Sequence, residues 1–113
     1  FHCKSNLDGS PIISAKEIGI MKNNALIINT ARGNLVSEID LYDAITNNTI
    51  GGVALDVFEE EPAKNNILFG LENVLLTPHI AASTAEAQVI VAEMIANQFV
   101  DFFLKNKVNN SVI

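Results

Sequence analysis

Three short runs of apolar residues constrain the fold of this chain more than any other feature of its sequence. They span residues 25–29, 51–57 and 73–77, and a polar or turn-forming stretch follows each of them. Each run is too short for a buried helix and lacks the apolar–polar alternation of a half-exposed strand. The runs therefore predict strands buried on both faces, as in a parallel sheet covered by helices.

Helix signals occupy the intervals between these runs. Three residue pairs have the spacing of a helix N-terminal cap: Ser14 with Glu17, Ser37 with Asp40, and Ser83 with Glu86. The first predicted helix extends to the asparagines at 23–24, the second ends at those at 47–48, and the third runs from about residue 84 to residue 104. Strands that alternate with helices predict an α/β fold, with helices flanking a parallel sheet.

The composition narrows the possible partners and the compartment. The chain of 113 residues has a formal net charge of −6, which disfavours nonspecific binding to nucleic acid or to anionic membranes. Its longest apolar runs fall far short of the roughly 20 residues that cross a bilayer, so we expect no spanning helix. Cys3 is the single cysteine, so we expect no internal disulfide, no metal site and a reducing, cytoplasmic compartment.

The carboxyl ends of the predicted strands carry the residues best suited to chemistry, and ligands bind at this edge in open α/β sheets. Arg32, the only arginine, follows the first strand, and its planar guanidinium suits the carboxylate of a small organic acid. The alternative is a surface arginine paired with a nearby carboxylate. His79 follows the third strand and either exchanges a proton near neutral pH or is satisfied by a backbone carbonyl.

The carboxylates of this edge have two interpretations each. Glu61 lies in a loop that either reaches His79 or forms a solvated acidic surface. Asp56 ends the second strand, where it accepts a hydrogen bond from a ligand amide or caps a neighbouring turn. His2 and Cys3 fall at a predicted strand end, and Cys3 is expected to be a small buried apolar residue rather than a nucleophile.

An ordered set of motifs gives the most specific signal. The motifs are NTARG at residues 29–33, GVALDVF at 52–58, Glu61 with Pro62, LTPH at 76–79 and AST at 82–84. In this order and spacing they resemble the D-isomer-specific 2-hydroxyacid dehydrogenases. The segment AASTAEAQ at residues 81–88 is most similar to the D-3-phosphoglycerate dehydrogenase branch. The resemblance implies a partial Rossmann-type sheet, the cofactor NAD with NADP not excluded, a small 2-hydroxy or 2-oxo acid substrate, and a role in serine biosynthesis.

The resemblance also implies roles for individual residues. Arg32 would bind the substrate carboxylate, His79 would be the acid and base, and Glu61 would hold and charge His79. Asp56 would bind the nicotinamide carboxamide. The implied cofactor-binding set as a whole is His2, Cys3, Thr30, Ala31, Arg32, Asp56, His79, Ala81 and Ala82.

The resemblance places the chain within a larger protein. The glycine-rich dinucleotide fingerprint and its acidic ribose ligand do not occur in these 113 residues, and in the family they lie upstream. We therefore expect residues 1–104 to be the C-terminal half of an NAD-binding domain, as a fragment. Residues 105–113 would return the chain toward a substrate domain, and residues 110–113 resemble the family's ending at that point.

Three functional alternatives remain open. One is a different substrate within the same class, as in a glyoxylate, hydroxypyruvate or D-lactate reductase. Another is a non-catalytic NAD-sensing interaction module, since relatives of that kind can keep the same catalytic residues. The last is that the fragment alone has no function. By family analogy the full-length protein would be a homo-oligomer, with the long third helix as a dimer contact.

Overall fold

The computed structural model of the chain describes residues 1–111. The chain divides into two compact units, Phe1–His79 and Ile80–Ile113. The first unit holds a three-stranded sheet with short helices, and the second is dominated by one long helix. Of the predicted return segment, residue 105 ends that helix, whereas residues 112 and 113 lie outside the described part.

The sheet of the first unit is parallel, as the apolar runs predict. Its strands are β1 (Leu26–Asn29), β2 (Gly52–Leu55) and β3 (Val74–Leu76), in the order β1-β2-β3. Asn29 pairs in register with Leu55, and Leu55 with Leu76. The three strands therefore end side by side, so the segments that follow them start from one edge of the sheet.

Helices follow the predicted positions, but the first is much shorter than expected. The helices are α1 (Ala15–Ile18), α2 (Glu38–Thr46) and α3 (Ala85–Lys105), with a 3₁₀ turn over Gly33–Leu35. The predicted extension of α1 to residues 23–24 is wrong, because Gly19 forms its C-terminal cap. Glycine is a poor helix former, and the chain turns there toward β1.

The predicted caps are confirmed at two helices and shifted at the third. Glu17 accepts hydrogen bonds from the backbone N and the side chain of Ser14, and the Ser37 hydroxyl accepts one from Asp40 N. At α3 the capping residue is Thr84 rather than Ser83, and its hydroxyl accepts from Ala87 N. Because the first helical residue is Ala85, the extended residue directly before it is the one placed to cap.

The core lies on one face of the sheet. Its buried cluster joins inward side chains of the strands, such as Ile27 and Leu55, to Leu41 and Ile45 of α2. The predicted burial of β1 and β3 on both faces is wrong for the described chain. Leu26 and Ile28 alternate with the buried positions of β1, whereas Leu75 lies between two half-buried positions of β3. These three side chains are 70%, 55% and 66% exposed. In the first unit, the core cluster takes up only the other side of the sheet.

Helix α3 corrects the expectation that no helix could span a membrane. It has 21 residues and a mean hydropathy of 1.3 over its most apolar 18-residue window, which suffices by length and composition. Isolated charged and polar residues divide α3 into short apolar runs, but its mean hydropathy stays high enough to meet the criterion, so run length alone does not detect it. Core helices of soluble proteins meet the same criterion, so it is weak evidence for a membrane.

Candidate functional site

The turn after β1 holds Arg32 through a buried asparagine. Asn29, only 1% exposed, donates from Nδ2 to the carbonyl of Arg32 at 2.8 Å and accepts from Ala31 N at 3.1 Å. The donor and the acceptor of the buried amide are thus both satisfied by backbone groups of the turn. These two hydrogen bonds fix the backbone on either side of Arg32. The guanidinium is exposed and donates to the Ala31 carbonyl at 2.6 Å. Within residues 1–111 it forms no ion pair, so the alternative of an arginine paired with a local carboxylate is not observed.

Gly33 brings the Arg32 turn against the loop that follows β2. A Cβ atom at this position would lie 1.8 Å from the carbonyl oxygen of Phe58 and 2.6 Å from Glu59 N. Both obstacles are backbone atoms, so a side chain here requires one of the two segments to move. The absence of a side chain at Gly33 therefore sets the spacing between Arg32 and the acidic loop.

Glu61 and His79 form a close pair. Oε2 of Glu61 lies 2.6 Å from Nδ1 of His79, and Oε1 accepts a hydrogen bond from Phe58 N at 3.0 Å. The hydrogen bond to His79, followed by that from Phe58 N, lowers the pKa of the Glu61 carboxyl. A carboxylate accepts, so Nδ1 of His79 carries the proton and Nε2 is the nitrogen left for exchange. Of the two interpretations of Glu61, the one in which its loop reaches His79 is confirmed.

His79 sits at a strained turn after β3. Its φ of +52° lies in the left-handed region, and its N–H donates to the carbonyl of Thr77 at 3.0 Å across the intervening proline. A histidine with positive φ is uncommon, and such conformations cluster at functional sites. The turn delivers the imidazole to the edge of the sheet directly beyond β3.

Asp56 and Thr77 join the ends of β2 and β3. Asp56 is 4% exposed, and its Oδ1 accepts a hydrogen bond from the hydroxyl of Thr77 at 2.5 Å. A buried carboxylate needs such donors to stay charged. The contact holds Asp56 at the carboxyl edge of the sheet, beside the start of the His79 turn.

Two cavities meet at the Glu61–His79 pair. The first, of about 540 Å³, is lined by Arg32, Glu61 and His79 together. The second, of about 510 Å³, has Glu61 and His79 on its wall and is otherwise mostly apolar. The structure therefore brings the one arginine, the acid–base candidate and its carboxylate partner to a single concave surface.

The remaining residues of the predicted cofactor-binding set lie in loops and turns, outside the strands and helices. His2 and Cys3 are exposed in the segment before the first helix, and neither belongs to a strand. The expectation that Cys3 is buried is wrong, because the segment around it runs over the surface. Thr30 and Ala31 form the turn beyond β1, and Ala31 packs partly against the core.

Ala81 and Ala82 belong to the second unit, in the turn before α3, where the Ala82 carbonyl accepts from Gln88 Nε2 at 2.5 Å. Among the described residues, no group of three or more His, Cys, Asp or Glu could hold a metal ion.

Two residues of this edge, Asn29 and Thr77, had no predicted role, and Gly33 was expected only to let the backbone turn tightly after Arg32. All three lie inside the quoted motifs, but they act on backbone or on other side chains. A polar residue that ends an apolar strand, as Asn29 does, is the signal that could have found the first. The tight approach at Gly33 depends on two segments that are distant in the sequence, so no local pattern indicates it.

Comparison with known proteins assigns the chain to a family. A D-3-phosphoglycerate dehydrogenase of Methanocaldococcus jannaschii is 51% identical over 87 residues, which are 77% of this chain and 17% of the relative. A glyoxylate reductase of Thermococcus litoralis is 46% identical over 91 residues, 80% of this chain and 28% of the relative. The crystal structure of a glyoxylate reductase from Paecilomyes thermophila matches with a TM-score of 0.81 at 32% identity, covering 98% of this chain and 34% of that one.

The chain therefore spans less than a third of the length of these two curated relatives and about a third of the solved structure. The similar structure confirms the predicted parallel, Rossmann-type sheet flanked by helices. The family described as "D-isomer specific 2-hydroxyacid dehydrogenase, NAD binding domain" matches residues 1–81, the stretch that contains Arg32, Glu61 and His79. By this match, which covers well over half of its residues, the chain belongs to the D-isomer-specific 2-hydroxyacid dehydrogenases and forms part of their NAD-binding domain.

Proposed function

We propose that this chain supplies the acid–base and carboxylate-binding half of an NAD-dependent D-2-hydroxyacid dehydrogenase. The observation that carries the proposal is the 2.6 Å contact between Glu61 and His79 on the wall of a cavity that Arg32 shares. The reaction is reversible hydride transfer at C2 of a 2-hydroxy acid. Residues 1–104 belong to the C-terminal half of the NAD-binding domain, and residues 105–113 lead toward a substrate domain.

The edge of the sheet fits the nicotinamide end of the cofactor. Asp56 is a buried carboxylate at the carboxyl end of β2, where an amide donor would find an acceptor. Thr30 and Ala31 begin the neighbouring turn beyond β1. These residues would hold the carboxamide and the adjoining ring, together with His2, Cys3, Ala81 and Ala82 as the family resemblance implies. When bound, NAD accepts or returns the hydride.

His79 moves the proton of the reaction. On oxidation, neutral His79 takes the hydroxyl proton of the substrate at Nε2, because Nδ1–H is held by Glu61. Glu61 fixes the orientation of the ring and stabilises the imidazolium that forms, as an adjacent carboxylate does for a catalytic histidine. On reduction, the imidazolium returns the proton to the substrate oxygen.

Arg32 binds the substrate carboxylate. Two parallel N–H groups of a guanidinium match the two oxygens of a carboxylate, which fixes the direction of the substrate as well as its position. Asn29 holds the turn that carries Arg32, and Gly33 holds that turn against the Glu61 loop. The substrate's C2 is thus placed between a fixed cation and a fixed base, and such positioning contributes much of an enzyme's rate.

The substrate we propose is D-3-phosphoglycerate, which would give the protein a role in serine biosynthesis. The 51% identity to a D-3-phosphoglycerate dehydrogenase supports this choice. The second candidate, glyoxylate or hydroxypyruvate, is favoured by the 46% identity to a glyoxylate reductase. We further propose that the full-length protein is a cytoplasmic homo-oligomer and that it binds neither nucleic acid nor membrane. The net charge of −6 supports the absence of nucleic-acid binding.

Steady-state assays of the full-length protein test the proposal. NAD reduction with D-3-phosphoglycerate, and NADH oxidation with glyoxylate, hydroxypyruvate and pyruvate, should show the highest kcat/KM for the phosphoglycerate pair. A preference for glyoxylate would select the second candidate. NAD binding without turnover of any of these acids would instead identify an NAD-sensing module and overturn the catalytic assignment.

A further inference from the structure

The loop that carries Glu61 is tied to the first turn of α2 by a buried glutamate. Glu38 is 9% exposed, and its Oε1 accepts a hydrogen bond from Glu59 N at 2.8 Å. In return, Oε1 of Glu59 accepts from Glu38 N at 2.9 Å. This reciprocal pair satisfies one of the unpaired N–H groups at the start of α2 and one in the loop. It fixes the loop backbone two residues before Glu61.

A second contact of Glu38 holds the far side of the same loop. Its Oε2 accepts from Nδ2 of Asn66 at 2.6 Å, and Oδ1 of Asn66 accepts from Leu68 N at 2.9 Å. Leu68 is fully buried in the core. Both oxygens of Glu38 are therefore used, one on each side of Glu61, and the second tie is anchored at a core residue.

We propose that Glu38 is a positioning residue of the active site: by holding both sides of the loop, it keeps the Glu61 carboxylate on Nδ1 of His79. This inference rests on the proposed function for its effect on turnover, but not for its effect on Glu61. Glu38 touches neither Glu61 nor His79 through any hydrogen bond of the described chain. It acts through the Glu59 and Asn66 contacts, which place the loop from which Glu61 reaches His79.

The replacement Glu38→Gln separates a positional from a purely electrostatic role. The glutamine still accepts one hydrogen bond, but its amide nitrogen cannot accept from Asn66, so one tie is lost. A looser loop weakens the hydrogen bonds that lower the pKa of Glu61, so that pKa should rise toward the ordinary value of about 4.3. Removing a neighbouring negative charge alone would move the pKa of Glu61 down, because like charges raise it. The two explanations thus predict opposite signs.

The experiment is a carbon-13 NMR titration of the Glu61 carboxyl in the full-length protein, with the parent, Glu38→Gln, Asn66→Ala and Glu60→Gln compared. Glu60 is exposed, and its replacement removes a charge from the same loop without breaking a hydrogen bond among residues 1–111. Glu38→Gln and Asn66→Ala should each raise the titration midpoint of Glu61 by about half a pH unit, and Glu60→Gln should not raise it. A variant that combines Glu38→Gln with Asn66→Ala should raise the midpoint little more than either replacement alone. Both replacements remove the same hydrogen bond between Glu38 and Asn66.

Turnover gives the second measurement. Glu38→Gln and Asn66→Ala should lower kcat about tenfold with little change in KM, because Arg32 and its turn are untouched. An unchanged or lowered titration midpoint in both variants would overturn the proposal, even if the protein is an active dehydrogenase. If the protein turns over none of the acids, the titration still decides the role of Glu38. If Glu38→Gln does not fold, Asn66→Ala decides alone.

Discussion

Glu61 reaches His79 from a loop 18 residues earlier in the chain, and the two side chains meet at 2.6 Å between Oε2 and Nδ1. The contact links the segment after β2 to the turn after β3, whose ends the parallel register aligns. Each side chain is held from its own side, Glu61 by Phe58 N and His79 by a backbone turn onto Thr77. The fold therefore sets the relative orientation of the two side chains.

Replacing Glu61 with glutamine should lower the rate of 2-hydroxy acid oxidation. Without the carboxylate at Nδ1, the imidazole ring of His79 is less well orientated toward the substrate hydroxyl. We therefore expect kcat to fall about tenfold with little change in KM. Initial rates on the full-length protein check this. A kcat equal to that of the parent would show that Glu61 does not position His79.

The same contact should make part of the protein's stability dependent on pH. Glu61 forms hydrogen bonds with His79 and with Phe58 N, and these, the His79 contact first, hold the pKa of its carboxyl below the usual range. A depressed pKa in the folded state contributes stability above the unfolded value of about 4.3, and the contribution is lost as the pH falls through the folded value. Denaturant unfolding at several pH values should show the parent losing stability relative to Glu61→Gln below about pH 4. If the stability of the parent relative to Glu61→Gln instead increased as the pH fell, the lowered pKa of Glu61 would be contradicted.

Replacing Gly33 with alanine should move the turn that carries Arg32 away from the loop that carries Glu61. The new Cβ meets the Phe58 carbonyl at 1.8 Å, so the Arg32 turn and the Glu61 loop must move apart. We expect a loss of about 1–3 kcal/mol in unfolding free energy and a fall of about 100-fold in kcat/KM. Gly51→Ala is the matched control, because its Cβ meets the Asn24 backbone at 2.9 Å, before the start of β2. If both variants lose the same activity, the effect of Gly33 is general destabilisation.

The parts of this molecule that local patterns determine are predictable from its sequence. The apolar runs identify β1, β2 and β3 because a short apolar run bounded by turn-forming residues is typical of a strand. The rule that ligands bind at the carboxyl ends of the strands then predicts that Arg32, Glu61 and His79 share one edge of the sheet. Ser14 with Glu17, and Ser37 with Asp40, form the N-terminal caps of α1 and α2 as their spacing predicts.

The parts that depend on distant contacts are not predictable in this way. The exposure of Leu26, Ile28 and Leu75 depends on which helices cover the sheet, and strand patterns cannot report this. Gly33 reads as an ordinary turn glycine until the Phe58 backbone is placed beside it. No local pattern singles out Glu38, because its hydrogen-bond partners lie 21 and 28 positions away in the sequence.

The 113-residue chain alone should show no dehydrogenase activity and little affinity for NAD. The usual anchor of the pyrophosphate is a helix N-terminus preceded by a glycine-rich loop, and the six glycines of this chain do not form that pattern. Titration calorimetry of the chain with NAD, alongside the full-length protein, checks this. Micromolar binding by the 113 residues would show that the dinucleotide is held mainly by the edge described here.

Replacing Arg32 with lysine should damage catalysis although the charge is kept. Lysine offers a point charge on a flexible stem and cannot reproduce two parallel hydrogen bonds to a carboxylate. The loss should be roughly 2–4 kcal/mol, or about 30- to 1000-fold in kcat/KM. Affinity for NAD should change far less, because in the proposed site the guanidinium binds the substrate and the carboxamide binds Asp56.

Steady-state kinetics and calorimetry on the full-length protein separate these two effects of Arg32→Lys. Gly51→Ala again serves as the control for folding, since it lies at the start of β2, away from the carboxyl edge. A large fall in kcat/KM with NAD affinity retained is the pattern of a carboxylate clamp that acts in the transition state. If Arg32→Lys keeps kcat/KM within about threefold of the parent, a point charge suffices at this position, and the substrate carboxylate is bound elsewhere.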